Sequence, residues 1–63
     1  MKLVIEIEMD GAAFGKNNRV LEVVRILEQQ VIRQFNFAGI NRVGEHWPLR
    51  DINGNTVGTV KIV

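Results

Sequence analysis

Cysteine is absent from the sequence, and histidine occurs only once, as His46. Without cysteines the chain can form neither disulfides nor thiolate zinc sites, and a single histidine excludes most other transition-metal sites. No apolar run approaches the roughly 18 residues of a membrane-spanning helix, and the first residues show no signal-peptide pattern. We therefore expect a cytoplasmic protein that has no metal, no cofactor and no contact with a membrane.

An excess of charge of one sign is also lacking, because eight Lys and Arg residues face seven Asp and Glu residues and the net charge is +1. This balance gives no electrostatic footprint for nucleic acid or for an anionic membrane. Nucleic acid is therefore not the expected partner.

The length of 63 residues predicts one domain, residues 1–63. A chain of this size buries only about 60% of its unfolded surface, so small domains often need a disulfide, a metal or a partner subunit for stability. Because the composition removes the first two, association with another subunit is the device that remains.

The first segment, Lys2–Met9, alternates between apolar and polar residues, which predicts a half-buried strand. Glu6 and Glu8 share the polar face of this strand. Two carboxylates at this spacing could serve acid–base chemistry or hold a metal. A solvated strand face opposite Lys61 is the interpretation we favour.

The second segment predicts a helix from about Asn18 to Ala38, with Asn17 or Asn18 as its N-cap. Gly39 is expected to end the helix in a left-handed conformation, and Ile40 would then contact Phe35. Apolar residues recur with the spacing of one helical face, namely Val20, Val24, Leu27, Val31 and Phe35. Ile26 falls among the polar residues and hence outside this predicted core face.

The second strand is predicted over Glu45–Ile52, and the third over Asn55–Val63. Pro48 cannot donate a ladder hydrogen bond, so the second strand should lie at a sheet edge. Trp47 is expected to anchor the core. His46 could act as a general base or a ligand, but the sequence places no supporting group beside it, so a surface histidine is favoured.

Asn53-Gly54 is the strongest short-range hairpin signal in the chain. A two-residue type I′ turn would pair Ile52 with Asn55, whereas a type I turn with a left-handed Gly54 in a G1 bulge would pair Asp51 with Asn55. We favour the first register because it makes the more apolar buried face, formed by Trp47, Leu49, Val60 and Ile62. The position of Asp51, whose carboxylate can bind backbone N–H groups of the turn, favours the second.

Asp51, Asn53 and Asn55 also match the opening of a calcium-binding loop, D-x-[DN]-x-[DN]. The sixth and twelfth positions of such a loop are Gly and a bidentate acid, and here they are Thr56 and Ile62. We therefore interpret these residues, together with the glycine between the two asparagines, as structural turn residues and not as metal ligands.

The segments KLVIEIEMDGAAF, VLEVVRILEQQ and LRDINGNTVGTVKIV together resemble a family of very short proteins encoded in phage genomes and integrated prophages. Members of this family commonly end in a similar L-R-D-x-N-G-N-x-V-G segment. The resemblance covers most of the chain and weakens across Phe35–Trp47. It implies a phage-associated origin, a host-cell location and a compact α+β fold, and it transfers no catalytic residue because the family has no established activity.

The element order β-α-β-β predicts a two-layer α+β fold with one helix on a three-stranded mixed sheet. A right-handed crossover leaves room for the third strand between the first two, giving the order 1-3-2. The third strand would then be antiparallel to both of its neighbours.

A non-enzymatic protein-interaction module is the function that we expect. One helix on three strands offers little of the concavity that an active site needs, so no catalytic residue is assigned. The alternative is a weak nucleic-acid-binding protein that uses four arginines and an aromatic residue. The residues for that alternative are Arg19, Arg33, Arg42 and Arg50 with Trp47 or Phe37.

The apolar arc of the helix covers about half of its circumference, which is wider than the roughly 100° needed to cover one sheet face. The excess apolar area is expected to meet a protein partner. The predicted interaction surface consists of Leu21, Ile26 and Ile32 on the helix and Val4, Val57 and Val63 on the open sheet face. A closed two-fold homodimer is the expected assembly, through either the helix side or the open sheet face.

Overall fold

The computed structural model describes residues 1–15, 17–39 and 41–63, which form one long helix, a short 3-10 turn and three strands. Strand β1 spans Leu3–Ile7, β2 spans His46–Arg50 and β3 spans Thr56–Ile62. The long helix, α1, runs over residues 19–38, and the 3-10 turn, Ala12–Phe14, precedes it. The predicted helix limits differ from these bounds by one residue.

The strand order is β1-β3-β2, and both ladders are antiparallel. The predicted α+β fold with one helix and the order 1-3-2 is therefore confirmed. The sheet is antiparallel and not mixed as predicted. The central β3 runs opposite to both neighbours, and no parallel pair forms among the described strands. Strand β2 lies at an edge, as the proline in its middle predicts.

Helix α1 changes its winding in the middle. An α-helical segment, Arg19–Ile26, is followed by a π-helical segment, Leu27–Ile32, and by a second α-helical segment, Arg33–Ala38. The N–H of Arg33 donates to the carbonyl of Glu28, five residues earlier. Because a π turn holds more residues than an α turn, side chains in this segment depart from the regular period of 3.6.

The helix faces the sheet through a different stripe from the predicted one. Ile26 is 0% exposed, whereas Val20 is 72% exposed and Val24 is also exposed. The predicted core face is therefore wrong in its first two members. Ile26, which was placed on the interaction surface, belongs to the core and cannot contact a partner. Glu22, one turn before Ile26, is buried on the same side of the helix.

The core lies between the inner stripe of α1 and the sheet. Its buried members come from the 3-10 turn, the helix, β2 and β3, and they are Phe14, Ile26, Val31, Leu49 and Val60. Side chains that pack partly against this cluster include Ile7, Val23, Leu27, Phe35, Trp47 and Val57. The predicted anchoring role of Trp47 is thus confirmed, with the ring half-buried.

Both ends of α1 lie at the capping residues that the sequence predicts. Asn18 occupies the N-cap position, although its side chain forms no capping hydrogen bond. Gly39 has φ +62° and its N–H donates to the carbonyl of Phe35 at 3.1 Å, so the left-handed helix end is confirmed. The predicted contact of Ile40 with Phe35 lies outside the described residues.

The hairpin between β2 and β3 uses the turn that we favoured less. Gly54 N–H donates to Asp51 O at 3.0 Å, and Asp51 N–H donates to Asn55 O at 2.9 Å. Gly54 has φ +85°, and within the described residues positive φ occurs only at glycines. Asn53 therefore does not have the positive φ that a type I′ turn requires, and the turn is a type I turn followed by a G1 bulge.

The favoured buried face is nevertheless correct, because a second irregularity compensates for the first. Arg50 pairs with Thr56 but Leu49 pairs with Gly58, so Val57 is an extra residue in β3. A one-residue shift exchanges the two faces of a strand. The bulge at Val57 cancels the shift that the turn introduces. Consequently Leu49, Val60 and Ile62 are buried on the helix side.

Gly58 lies where β1 approaches β3 most closely. It pairs with Ile7 on one side and Leu49 on the other. A Cβ atom at this position would overlap the carbonyl oxygen of Glu6 and lie 2.8 Å from the carbonyl carbon of the same residue. The close contact of the two strands therefore requires glycine for steric reasons.

Candidate functional site

A buried carboxylate connects α1 to the hairpin turn. Glu22 accepts hydrogen bonds from Arg25 through both oxygens, with Nε–Oε1 2.7 Å and Nη2–Oε2 3.0 Å. Its Oε2 also accepts the N–H of Ile52 at 2.8 Å. The hydrogen bond from the Arg25 guanidinium holds the pKa of the Glu22 carboxyl below its ordinary value, although burial acts in the opposite direction. Glu22 is therefore an ionised structural link.

The second buried carboxylate, Asp51, organises the turn itself. Its Oδ1 accepts the N–H groups of Asn53 and Asn55, each at 2.9 Å. The predicted capping role of Asp51 is confirmed by these bonds. Within the described residues, no three His, Cys, Asp or Glu side chains come together as a metal-binding group.

Gln30 joins the helix to the outer edge of β2. Its Nε2 donates to the carbonyl of Arg50 at 2.6 Å, and its Oε1 accepts the N–H of Arg50 at 2.8 Å. The indole Nε1 of Trp47 donates to the backbone carbonyl of Gln30 at 2.9 Å, while its ring packs edge-on against Phe35 at a centroid distance of 5.7 Å. One side of α1 is thus held over β2.

The predicted carboxylate pair and the histidine lie on exposed surfaces. Glu6 and Glu8 line an open groove with Thr56 and Thr59. His46 is exposed, with Nδ1 3.2 Å from the carbonyl oxygen of Gly44. Glu6 lies on β1 and Glu8 directly follows it, whereas His46 lies on β2, on the other side of β3.

The residues of the nucleic-acid alternative are only partly brought together. Trp47 packs against the core and Phe35, so only part of its ring is exposed. Phe37 is 94% exposed and shares an open groove with Arg33. Arg42 lies on the loop before β2, where its N–H donates to Glu45 Oε2 at 3.0 Å. One arginine beside one free aromatic ring is what remains of this predicted site.

The predicted interaction residues differ in how far they are exposed. Leu21 and Ile32 are 68% and 53% exposed, and Val63 is also exposed. Val4 and Val57 are half-buried, and Val57 packs against the core as the bulged residue. Three of the six predicted residues are therefore exposed, and two of these three lie on α1.

The structure adds four exposed apolar residues to this surface, and two of them, Val20 and Val24, were predicted on the core face of the helix. Leu3 and Ile5 pair with Ile62 and Val60, so they share the sheet face that the helix covers, yet both are exposed. Because α1 is held over β2 by its Arg25 and Gln30 side, its opposite side faces away from β2, and the apolar residues on that side are exposed. We call this surface the open flank, and it consists of Leu3, Ile5, Val20, Val24 and Ile32.

The size of the molecule agrees with an incompletely covered core. Its accessible surface is 4674 Å², about 600 Å² more than the roughly 4,100 Å² expected for a folded monomer of 7.1 kDa. Its radius of gyration is 12.0 Å, against about 10.6 Å for a compact domain of this length. The excess surface is what an unpaired flank would contribute.

None of the helices in the described parts of the chain has the length and apolar character needed to cross a membrane. Comparison of the chain with protein-family models, curated proteins and solved structures found no match.

Proposed function

We propose that this chain is a non-enzymatic protein-interaction module of phage or prophage origin that acts in the host-cell cytoplasm and binds protein through its open flank. The observation that carries the proposal is the flank itself, whose five residues are 38% to 72% exposed on one side of a 63-residue chain. Contiguous apolar patches on small proteins mark sites of association, whereas apolar residues scattered singly do not.

The layout of the flank suits a protein interface. Apolar residues from α1 and β1 supply a central patch, and the exposed Glu28 lies between Val24 and Ile32 along the helix. Protein interfaces commonly combine an apolar centre with a charged rim, and the rim charges contribute to partner choice. Glu28 would therefore discriminate between partners.

The use of the buried polar groups supports a non-enzymatic role. Glu22 and Asp51 are committed to backbone N–H groups of the hairpin turn, and Gln30 is committed to β2. In the described part of the chain, every buried side-chain nitrogen or oxygen has a hydrogen-bond partner. Catalytic sites instead hold polar groups with perturbed pKa values that converge on a cavity.

The test is affinity capture from a host-cell lysate with matched surface variants. The double variant Val24→Glu/Ile32→Glu should lose the captured protein, because it places two charges in the apolar patch. The double variant Arg33→Ala/Phe37→Ala, on another side of α1, should retain it. Circular dichroism of each variant establishes that the fold is kept. Equal capture by the parent and the Val24/Ile32 variant would contradict the proposal.

The same pair of variants addresses binding of nucleic acid, which only the adjacency of Arg33 and Phe37 favours. An aromatic ring beside a guanidinium can stack on a base and neutralise a phosphate. Binding to single-stranded oligonucleotides that falls steeply with salt and disappears in the Arg33/Phe37 variant would favour this alternative over the protein module.

A further inference from the structure

We propose that β1 pairs with β1 of a second copy of this chain, antiparallel and with the two-fold axis at Ile5, so that two sheets join into one of six strands. The inference rests on the proposed function in the sense that it names a second copy as one partner of the open flank. Three observations support it. They are the difference between the two edges of the sheet, the charges along β1 and the large accessible surface of the chain.

The backbone groups on the outer edge of β1 form no hydrogen bond with any residue that the structure describes. Lys2 and Val63 exchange hydrogen bonds of 2.6 and 2.9 Å, and Glu8 N–H donates to Val57 O at 2.7 Å. Residues of an antiparallel strand alternate between exchanging bonds with one neighbour and facing away from it. The even-numbered residues of β1 therefore bond to β3. The N–H and C=O groups of Leu3, Ile5 and Ile7 point outward.

The opposite edge of the sheet is protected, and β1 is not. On the outer edge of β2, Pro48 has no N–H, and both backbone groups of Arg50 are bonded to the Gln30 side chain. Proline and covering side chains are devices by which proteins prevent edge-to-edge pairing. The sequence of Leu3–Ile7 has no proline, and its ladder to β3 has no bulge. The contrast indicates that the β1 edge is kept available for pairing.

The charges and the outward backbone groups of β1 together favour one register. With Ile5 opposite Ile5 of the second copy, Leu3 lies opposite Ile7 and all three outward residues of each strand can form hydrogen bonds. On the other sheet face, Lys2 of each copy then lies opposite Glu8. A shift of two residues in one direction would place Glu6 opposite Glu6, and like charges directly opposite destabilise a strand pair. A shift in the other direction would place Leu3 opposite Ile5, so that only two outward pairs form within β1.

The same two-fold axis would cover the open flank. Leu3 and Ile5 lie on the helix side of the sheet, and Val24 and Ile32 are exposed on the side of α1 that faces away from β2. One self-complementary patch serves both subunits of a closed dimer. The chain exposes about 600 Å² more than a compact monomer of its mass, and a standard interface takes roughly 800 Å² from each partner.

Sedimentation equilibrium at tens of micromolar tests the assembly. The parent should show twice the monomer mass of 7.1 kDa, in a concentration-dependent equilibrium. Chain synthesis with an N-methyl group on Ile5 removes an outward N–H and leaves the β1–β3 ladder intact, so it should give a folded monomer. A parent that is monomeric throughout, or an N-methylated chain that still dimerises, would overturn the proposal.

A charge-exchange cycle tests the register. Lys2→Glu or Glu8→Lys alone should raise the dimer dissociation constant about tenfold, because two symmetry-related pairs change from attraction to repulsion. The combined variant should return it to the parent value. Within one copy these residues lie about 20 Å apart along an extended strand, so the restoration has to come from contact between copies. Restoration by Glu6→Lys in place of Glu8→Lys would overturn the Ile5 register.

The two proposals fail separately. A monomeric parent that still captures a host protein through Val24 and Ile32 would refute the dimer and leave the interaction module standing. A dimer with the predicted charge cycle whose Val24→Glu/Ile32→Glu variant captures the same host proteins would support self-pairing and refute the flank as the docking site for another protein.

Discussion

Alanine substitutions at three glycines should separate two physical reasons for glycine in this fold. At Gly58 a Cβ atom would overlap the carbonyl oxygen of Glu6, although the backbone conformation is ordinary. At Gly54 the surroundings are empty within 4 Å, but φ is +85°. At Gly11 neither condition applies, since its φ is −74° and no atom lies within 4 Å. Gly11→Ala is therefore the matched control.

The expected costs follow from the kind of conflict. Gly54→Ala should cost about 1 kcal/mol, the strain of a non-glycine residue in the left-handed region. Gly58→Ala should cost at least about 2 kcal/mol, because overpacking against backbone has no flexible side chain to absorb it and β1 has to move away from β3. Gly11→Ala should be neutral or stabilise by a few tenths of a kcal/mol through loss of entropy in the unfolded chain.

Thermal unfolding followed by circular dichroism measures the three costs. For a domain of this size, 1 kcal/mol corresponds to about 4–8 °C, so the Gly58 variant should melt at least about 8 °C below the parent. All variants should be compared at one protein concentration, because association raises the apparent melting temperature. A Gly58 variant that melts together with the Gly11 variant would refute the close approach of β1 to β3 and the Ile7–Gly58 pairing.

Further predictions concern the inner stripe of the helix and its buried carboxylate. Ile26→Ala should cost about 2–5 kcal/mol in urea unfolding and Leu21→Ala less than about 0.5 kcal/mol; the reverse ranking would contradict the observed rotation of α1. Because the folded-state pKa of Glu22 lies below its ordinary value, the unfolded chain takes up the proton first as the pH falls. The stabilisation of the folded state by ionised Glu22 is therefore complete above the ordinary glutamate pKa. It is lost as the pH falls through the lower pKa that Glu22 has in the folded state. Glu22→Gln should flatten this acid-side loss of stability, and equal slopes for parent and variant would show that Glu22 does not cause it.

The ends of the helix and the edge position of β2 were predictable because each depends on the backbone chemistry of a single residue. Asn18 and Gly39 mark the helix ends, and Pro48 keeps β2 at the sheet edge. The crossover rule then leaves one position for β3. None of these signals depends on which side chains are buried.

The rotation of the helix was not predictable from hydrophobic periodicity. Periodicity counts Glu22 as an outward residue, but the Arg25 pair and the Ile52 N–H allow it to be buried. The π-helical segment then alters the period for the following residues. The spacing of four residues between Glu22 and Ile26 was the available signal, and it becomes informative only once a partner for the carboxylate is known.

The open flank was missed for a related reason. Alternation along β1 correctly places Leu3 and Ile5 on the helix side of the sheet. It does not show how far one helix reaches across three strands. The bonds from Gln30 to Arg50 hold α1 over β2, and the face of β1 is left partly uncovered.

Because of the bulge at Val57, β3 has one residue more than its pairing with β2 requires. Deletion of Val57 would straighten the strand, and Arg50 would still face Thr56 while Leu49 would still face Gly58. Deletion of Gly58 or Thr59 would instead move Val57 into the position beside Glu6 where a Cβ atom does not fit. An added residue cannot be accommodated in this way. It would either form a second bulge or turn the Val60 and Ile62 side chains out to solvent. The hairpin is therefore asymmetric toward changes in its length, because removal of Val57 keeps the register whereas an added residue shifts it.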